Sequence, residues 1–332
     1  MLILTIDSGT SNTRAKLWSD GRVIAKSFAD VGVRDTVITG SREKLRTGVR
    51  QAILQAAQSA DVDVYEIGLI LASGMITSNV GLCEVPHVLA PAGVGELAQG
   101  MVMSQIGAVV EQPIWFVPGI KNHVPSVNLD AYEAMDIMRG EEAETFGLIE
   151  QLKLQGPAVF VLPGSHSKFI SLDAGNRVTG CLTTLAGELL DIITAHTILA
   201  GALGRSFAQE FDETMVLEGG RCAGRVGLAR ACFSVRILEL FSGTTANQRA
   251  NFLLGAMLQT DLMALRNSSA LRWSPEAPVV VSGRRIIRQA LKTLLGDEHS
   301  RKGEVIEIDD RLTEDMAAIG AMAIARERGI LG

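Results

Sequence analysis

The 332-residue chain has few of the features that would make its stability or its partners obvious. It has four cysteines, Cys83, Cys181, Cys222 and Cys232, with no Cys-x-x-Cys pair and no histidine at zinc spacing. This argues against a disulfide framework or a structural zinc site and for reduced thiols. A Lys/Arg block is also missing: 31 basic residues face 37 acidic ones, a net charge of −6. Nucleic-acid binding needs clustered cations to neutralise phosphates, so that partner is not expected. The opening residues lack a basic flank, and the apolar run at 2–6 is too short for a signal peptide or a membrane span. No membrane partner is therefore expected, and a cytoplasmic location is. There is no P-loop, no low-complexity linker and no helix-turn-helix segment. What remains is a chain with 47% hydrophobic and 20% charged residues, long enough for about two domains with a sizeable core.

The stretch ILTIDSGTSNTRAKL sets the first question. Residues 2–6 read as a central strand, apolar on both faces, that ends abruptly on Asp7. Small and hydroxyl-bearing residues follow, and alternation resumes over 12–18. Asp20-Gly21 then forms a strong hairpin signal before a third run at 22–28. A second unit of the same design starts near the middle, AVFVLPGSHSKFISLDAGNRVTGCL, with an apolar strand at 158–162 and a small-residue loop at 163–167. A strand at 168–172, a turn at 173–176 and a strand at 177–182 complete it. Two matching units opening two halves of similar size predict a duplicated α/β fold.

Two such loops facing each other across a cleft suit a polyphosphate. A glycine-containing turn lets backbone N–H groups approach phosphate oxygens, and Ser and Thr hydroxyls add donors. An acid at the strand end suits Mg²⁺, which keeps several waters and takes few protein carboxylates. The alternative is an ordinary polar turn with Asp7 exposed at a strand tip.

Asp7-Ser8-Gly9-Thr10, followed by Asn12 and Arg14, resembles the first phosphate motif of the sugar kinase/Hsp70/actin superfamily. Further segments narrow the likeness: Ser73-Gly74-Met75, Val117-Pro118-Gly119, Met138 to Glu142, Leu162 to Lys168, and Thr184 to Glu188. Together they resemble the 2-dehydro-3-deoxygalactonokinase family. That resemblance implies two duplicated ribonuclease-H-like lobes with a nucleotide cleft between them, the actin-like ATPase/sugar kinase fold. It also implies ATP and Mg²⁺ as cofactors and a sugar acid, phosphorylated on its 6-hydroxyl, as partner. A homodimer is left open. On this reading Asp7, Gly9, Thr10, Asn12, Gly164, Ser165, Ser167 and Lys168 hold the nucleotide, Asp7 also serves the metal, and Ser73, Gly74, Met75 and Arg139 line the sugar site. Gly283 joins the nucleotide residues from its own place at a strand end, where glycine permits close backbone approach. Ser8 and Ala186 stand where the family usually has an aromatic residue and a threonine.

A kinase of this kind needs a carboxylate to accept the proton of the attacking hydroxyl. Glu141 and Glu142, at the start of a helix expected over 142–155, are the candidates, with stabilisation of the helix dipole as the alternative role. Arg139 suits a two-pronged bond to a substrate carboxylate, or an ion pair with its neighbouring glutamates. Val279–Val281, ending at Ser282-Gly283, suits the ribose or adenine. The segment at 93–98 matches only a loose dinucleotide pattern, and a proline-containing loop precedes it rather than a strand, so it carries no weight. Ser165-x-x-Lys168 lacks the companion motifs of a penicillin-binding protein. His196 is expected in the core of a helix at 188–203. The expected division is 1–155 and 156–332, with an exposed helix at 42–60 and a closing helix at 313–328, capped by Thr313, that packs back on the first part. A non-catalytic sugar-acid sensor and a kinase for another small sugar are the rival readings.

Overall fold

The computed structural model describes residues 1–298 and 302–332. The strands are β1 (Leu2–Ser8), β2 (Thr13–Ser19), β3 (Arg22–Ala29), β4 (Ile67–Gly74), β5 (Val88–Leu89), β6 (Val102–Ile106), β7 (Val110–Phe116), β8 (Ile120–Lys121), β9 (Ile137–Met138), β10 (Ala158–Leu162), β11 (Ser167–Leu172), β12 (Val178–Thr184), β13 (Val279–Val281) and β14 (Val305–Glu307). The helices are α1 (Val33–Thr39), α2 (Glu43–Ser59), α3 (Val94–Gly100), α4 (Glu141–Leu152), α5 (Ala186–His196), α6 (Glu213–Val226), α7 (Leu228–Phe241), α8 (Ala246–Asn267), α9 (Arg285–Asp297), α10 (Asp310–Thr313) and α11 (Met316–Glu327).

The two large sheets repeat one plan. The first runs β3-β2-β1-β4-β7-β6 and the second β12-β11-β10-β13-β14. In each, three antiparallel hairpin strands are followed by a parallel neighbour of the first strand, β4 beside β1 and β13 beside β10. The first hairpin closes through Asp20 and Gly21, both at positive φ, and the second turns at Asn176 with φ 58°. These are the turn residues whose short side chains tolerate that conformation.

Burial explains the layout. β10 (AVFVL) is buried at every residue, as a strand covered on both faces must be. One apolar cluster runs from the first sheet (Leu69, Leu71) through Phe146 of α4 and Ile324 of α11 to Phe160 and Ile170 of the second. The helices α4 and α11 therefore lie between the sheets. They approach so closely that a Cβ on Gly147 would stand 1.8 Å from the Met316 carbonyl oxygen. A second cluster joins β10, β11 and β13 to α6, α8 and α9. No helix among the described residues is long and apolar enough to cross a membrane.

Several expected elements differ from what is observed. The helix at 42–60 is not merely exposed, because Leu45, Val49, Ala52, Ile53 and Ala56 of α2 are buried. The helix expected over 188–203 ends at His196, which is exposed rather than a core residue, because Thr197 turns to extended backbone. The closing helix is split: Thr313 ends α10, and α11 starts only after Asp315. Gly329, with φ 77°, follows it. α11 packs on α4 and also touches α3, β1 and β4.

Candidate active site

A cleft of about 1170 Å³ is lined by the carboxyl ends of β1, β4, β10 and β13 and by the start of α4. Ends of parallel strands leave backbone and side chains free for a ligand. Of the residues singled out from sequence, Asp7, Gly9, Thr10, Asn12, Gly74, Met75, Arg139, Glu141, Gly164, Ser165, Lys168 and Gly283 all line it.

Each loop is held by the N-terminus of a helix. Val33 and Arg34, at the start of α1, donate N–H groups to the Gly9 and Thr10 carbonyls at 3.2 and 2.9 Å. In the second half, the Glu188 N–H of α5 donates to the Ser165 carbonyl at 2.9 Å. The carbonyls are thereby turned toward the helices. The N–H groups of Thr10, Ser11, Gly164, Ser165 and His166 have no partner among the described residues. Unpaired N–H groups on a Gly-containing turn are suited to an anion. The base of the first loop is tied as well, since the Ser8 and Thr13 hydroxyls lie 2.8 Å apart and Thr13 donates to the Val31 carbonyl.

Three expected residues do not reach the cleft. Ser167 is 3% exposed. Strand alternation sends its side chain away from the face that Lys168 presents, toward the buried Asp261, whose pKa burial pushes up to about 7. Ser73 is buried too, paired with Asp7 in the β1–β4 ladder. Glu142 is fully buried, and both its carboxylate oxygens accept the Gly140 N–H at 2.9 Å. This bond ties it to the residue that precedes α4, and burial followed by the Glu141 charge pushes its pKa up to about 8.

Glu141 instead faces the cleft, brought beside Asp7 by two glycines in contact. Gly74 ends β4 with φ 89° and Gly140 precedes α4 with φ 110°, and a Cβ on Gly140 would stand 3.3 Å from the Gly74 Cα. Any side chain there would separate strand and helix. The Glu141 carboxyl accepts the Arg139 N–H at 3.1 Å. Its pKa is raised, chiefly by burial and also by Asp7, against the opposing pull of Lys168 and backbone N–H groups.

The pattern of loops, acids and sheets matches known proteins. The family model described as 2-keto-3-deoxy-galactonokinase matches residues 7–314. The chain belongs to that family. A Rhizobium meliloti protein named as a probable 2-dehydro-3-deoxygalactonokinase is 29% identical over 264 residues, 77% of this chain and 78% of the relative. A crystal structure of a Sinorhizobium meliloti protein assigned to the same activity superposes with a TM-score of 0.72 at 24% identity, covering 98% and 96% of the two chains. Component A of the Acidaminococcus fermentans (R)-2-hydroxyglutaryl-CoA dehydratase shares the fold at TM-score 0.51 and 14% identity, over 98% and 99% of the chains. The fold is that of the actin-like ATPases and sugar kinases, and the chain is a carbohydrate kinase that uses ATP.

In this kinase Asp7 forms an ion pair with Arg14 at 3.5 Å, and burial raises its pKa against the pull of Arg14 and Lys16. Among the described residues no group of three or more His, Cys, Asp or Glu side chains could cage a metal ion. Mg²⁺ does not require a cage: it takes one or two carboxylates and leans on waters and phosphates. A single Asp7 carboxylate at the strand end, half-exposed to the cleft between the loops, fits that requirement.

Lys168 is held by the Ile137 carbonyl at 2.7 Å and the Thr183 hydroxyl at 2.5 Å. Asp136 in turn accepts the Thr183 N–H and hydroxyl. Arg139 forms no ion pair with Glu141 or Glu142 among the described residues. Its guanidinium donates to the Thr77 hydroxyl at 2.8 Å and the Val85 carbonyl at 2.7 Å.

Sequence reasoning passed over Glu144, which also lines the cleft and whose pKa is well raised by burial and by the charges of Glu141 and Asp7. Its position one helical turn after Glu141 was the available signal. It also passed over Arg14 as a partner of Asp7, and over His87, Lys121 and Asp136, which the cleft gathers from segments with no shared motif.

Proposed function

We propose that this kinase phosphorylates the 6-hydroxyl of 2-keto-3-deoxygalactonate and that Glu141 is its general base. The observation that carries the assignment is the separation of the two adjacent glutamates: both have raised pKa values, but only Glu141 faces the cleft, while Glu142 is sealed with its two oxygens on the Gly140 N–H. A base poised above the usual carboxylate range takes a proton more readily in the transition state.

In the proposed reaction the sugar 6-oxygen attacks the γ-phosphorus of ATP and the bond to the bridging oxygen breaks. ADP leaves with that electron pair, and the hydroxyl proton passes to the Glu141 carboxylate. Most of the rate in phosphoryl transfer comes from positioning and charge stabilisation. The free N–H groups of the two loops grip the phosphates from opposite sides, and Lys168 supplies positive charge near Glu141. Asp7 would hold Mg²⁺, which would supply positive charge to neutralise the phosphates. Gly283, at φ 93° and with a would-be Cβ 3.2 Å from the Pro163 ring, lets the end of β13 pack against the second loop, where the nucleoside would lie. Met75 and Gly74 line the sugar side.

The test is a coupled ADP-release assay across 2-keto-3-deoxy sugar acids and neutral hexoses. Turnover confined to 2-keto-3-deoxy acids is expected. Sugar-acid binding without ADP release would overturn the catalytic reading in favour of a sensor, and preference for a neutral hexose would overturn the substrate.

A further inference from the structure

The small sheet β5-β8-β9 has a role that the phosphate loops and Glu141 do not cover. Its register places His87, Gly119 and Arg139 side by side, one residue before β5, one before β8 and one after β9. Gly119 has no side chain, and the two neighbours close over it. A Cβ there would stand 2.7 Å from the Arg139 Cγ and 2.9 Å from the His87 Cδ2. Lys121, two residues along β8, projects to the same face by strand alternation. His87, Lys121 and Arg139 all line the cleft.

This face has more positive charge than the protein neutralises. Lys121 has no acidic partner within ion-pair distance among the described residues, and neither has Arg139. The nearby acids are otherwise placed: Asp136 is bonded to Thr183, Glu84 is exposed at the rim, and Glu141 accepts the Arg139 backbone N–H. Glu142, whose charge also acts on Arg139, is fully buried with its pKa pushed up to about 8. A guanidinium can only donate, so the 3.3 Å contact of Arg139 with the His87 Nδ1 makes that nitrogen the acceptor and puts the imidazole proton on Nε2. Burial, with Arg139, Lys121 and Lys168 nearby, holds the His87 pKa down to about 4. The ring is therefore neutral at physiological pH and remains an acceptor. With Thr77 and Val85 it fixes the Arg139 fork, leaving part of its five-donor edge unused. The His87 Nε2 itself is buried without a partner, a cost of the kind that ligand binding relieves.

We infer that Lys121 and Arg139 together hold the carboxylate of the sugar acid, with neutral His87 as the residue that positions the guanidinium. This rests on the kinase reading and adds to it the group that selects an acid over a neutral sugar. Losing one charge-assisted contact to the carboxylate weakens binding about ten- to hundredfold.

The experiment compares kcat/KM for 2-keto-3-deoxygalactonate with that for its carboxamide, in wild type, Lys121→Met, Lys121→Arg and His87→Phe. In Lys121→Met the preference for acid over carboxamide should fall about tenfold or more, while KM for ATP is unchanged. Lys121→Arg should keep the preference, and His87→Phe should raise KM for the acid more than it lowers kcat. If Lys121→Met keeps the full preference, or Lys121→Arg loses as much as Lys121→Met, the inference is overturned and the kinase reading stands. If the wild type turns over neither compound, the kinase reading has failed, and this inference goes with it.

Discussion

Gly164→Ala, and separately Gly9→Ala, would place a methyl group where the phosphates are proposed to lie. The protein itself has room for both. A Cβ on Gly9 meets nothing nearer than the Asn12 carbonyl oxygen at 3.9 Å, and one on Gly164 nothing nearer than the His166 carbonyl oxygen at 3.4 Å. Neither glycine is at positive φ. The fold should tolerate alanine at either position, with stability unchanged or raised by about 0.4–1 kcal/mol through the less flexible unfolded chain. Phosphate oxygens, however, must come within about 2.7–3.2 Å of the loop N–H groups. A methyl on that surface holds them off and removes at least one charge-assisted hydrogen bond, about 1.5–3 kcal/mol, or ten- to hundredfold in ATP affinity. Calorimetric titration with ATP and a thermal melt on the same samples separate the two effects. Gly187→Ala is the contrast, because its Cβ would stand 2.0 Å from the Gly164 carbonyl oxygen. That variant should lose stability by about 1–3 kcal/mol as α5 is pushed off the loop. Wild-type ATP affinity in both Gly9→Ala and Gly164→Ala would refute the two-loop grip.

Three further outcomes are expected. Asp7→Asn should abolish Mg-dependent turnover while the melting temperature stays within a few degrees, and near-normal turnover would remove Asp7 from the metal. Because the Glu141 pKa is raised and the base must be ionised, kcat/KM should fall with decreasing pH from a point above 4.5, the ordinary glutamate value. A flat profile down to pH 4.5 contradicts the assignment. For Glu142 the linkage has the opposite consequence for stability: between pH 4.5 and about 8 the folded carboxyl keeps a proton that the unfolded one releases, so stability falls as pH rises. Glu142→Gln should flatten that slope in urea titrations, with Glu141 and Glu144 leaving a remainder, and an unchanged slope would show that Glu142 is not its source.

The parts of the fold legible in the sequence were those set by neighbours along the chain. Asp20-Gly21 and the turn at Asn176 declared their hairpins through turn chemistry, and the all-apolar β10 declared a strand buried on both faces. The two loops after β1 and β10 were legible as loops for the same reason, since small residues between two strands make a local pattern. Side-chain direction was harder: Ser167 and Lys168 are adjacent, yet only Lys168 lines the cleft, and Glu141 and Glu142 part in the same way. One residue of offset reverses the face in a strand and turns it by about 100° in a helix, consistent with 3.6 residues per turn. Contacts between distant segments left no mark at all. The α1 N–H groups that hold the first loop, the Gly74–Gly140 contact that brings Asp7 beside Glu141, and the row of His87, Gly119 and Arg139 exist only once the sheets are assembled.

Glu141→Gln keeps the size and most hydrogen bonds of the side chain but cannot accept the sugar proton. With saturating ATP and 2-keto-3-deoxygalactonate, single-turnover measurement of phosphoryl transfer in this variant and in Glu142→Gln tests the general base directly. Glu141→Gln should slow the chemical step about 10²–10⁴-fold, the span of a positioned general base, with ATP affinity retained, while Glu142→Gln should slow it far less. Phosphoryl transfer at the wild-type rate in Glu141→Gln would contradict the account.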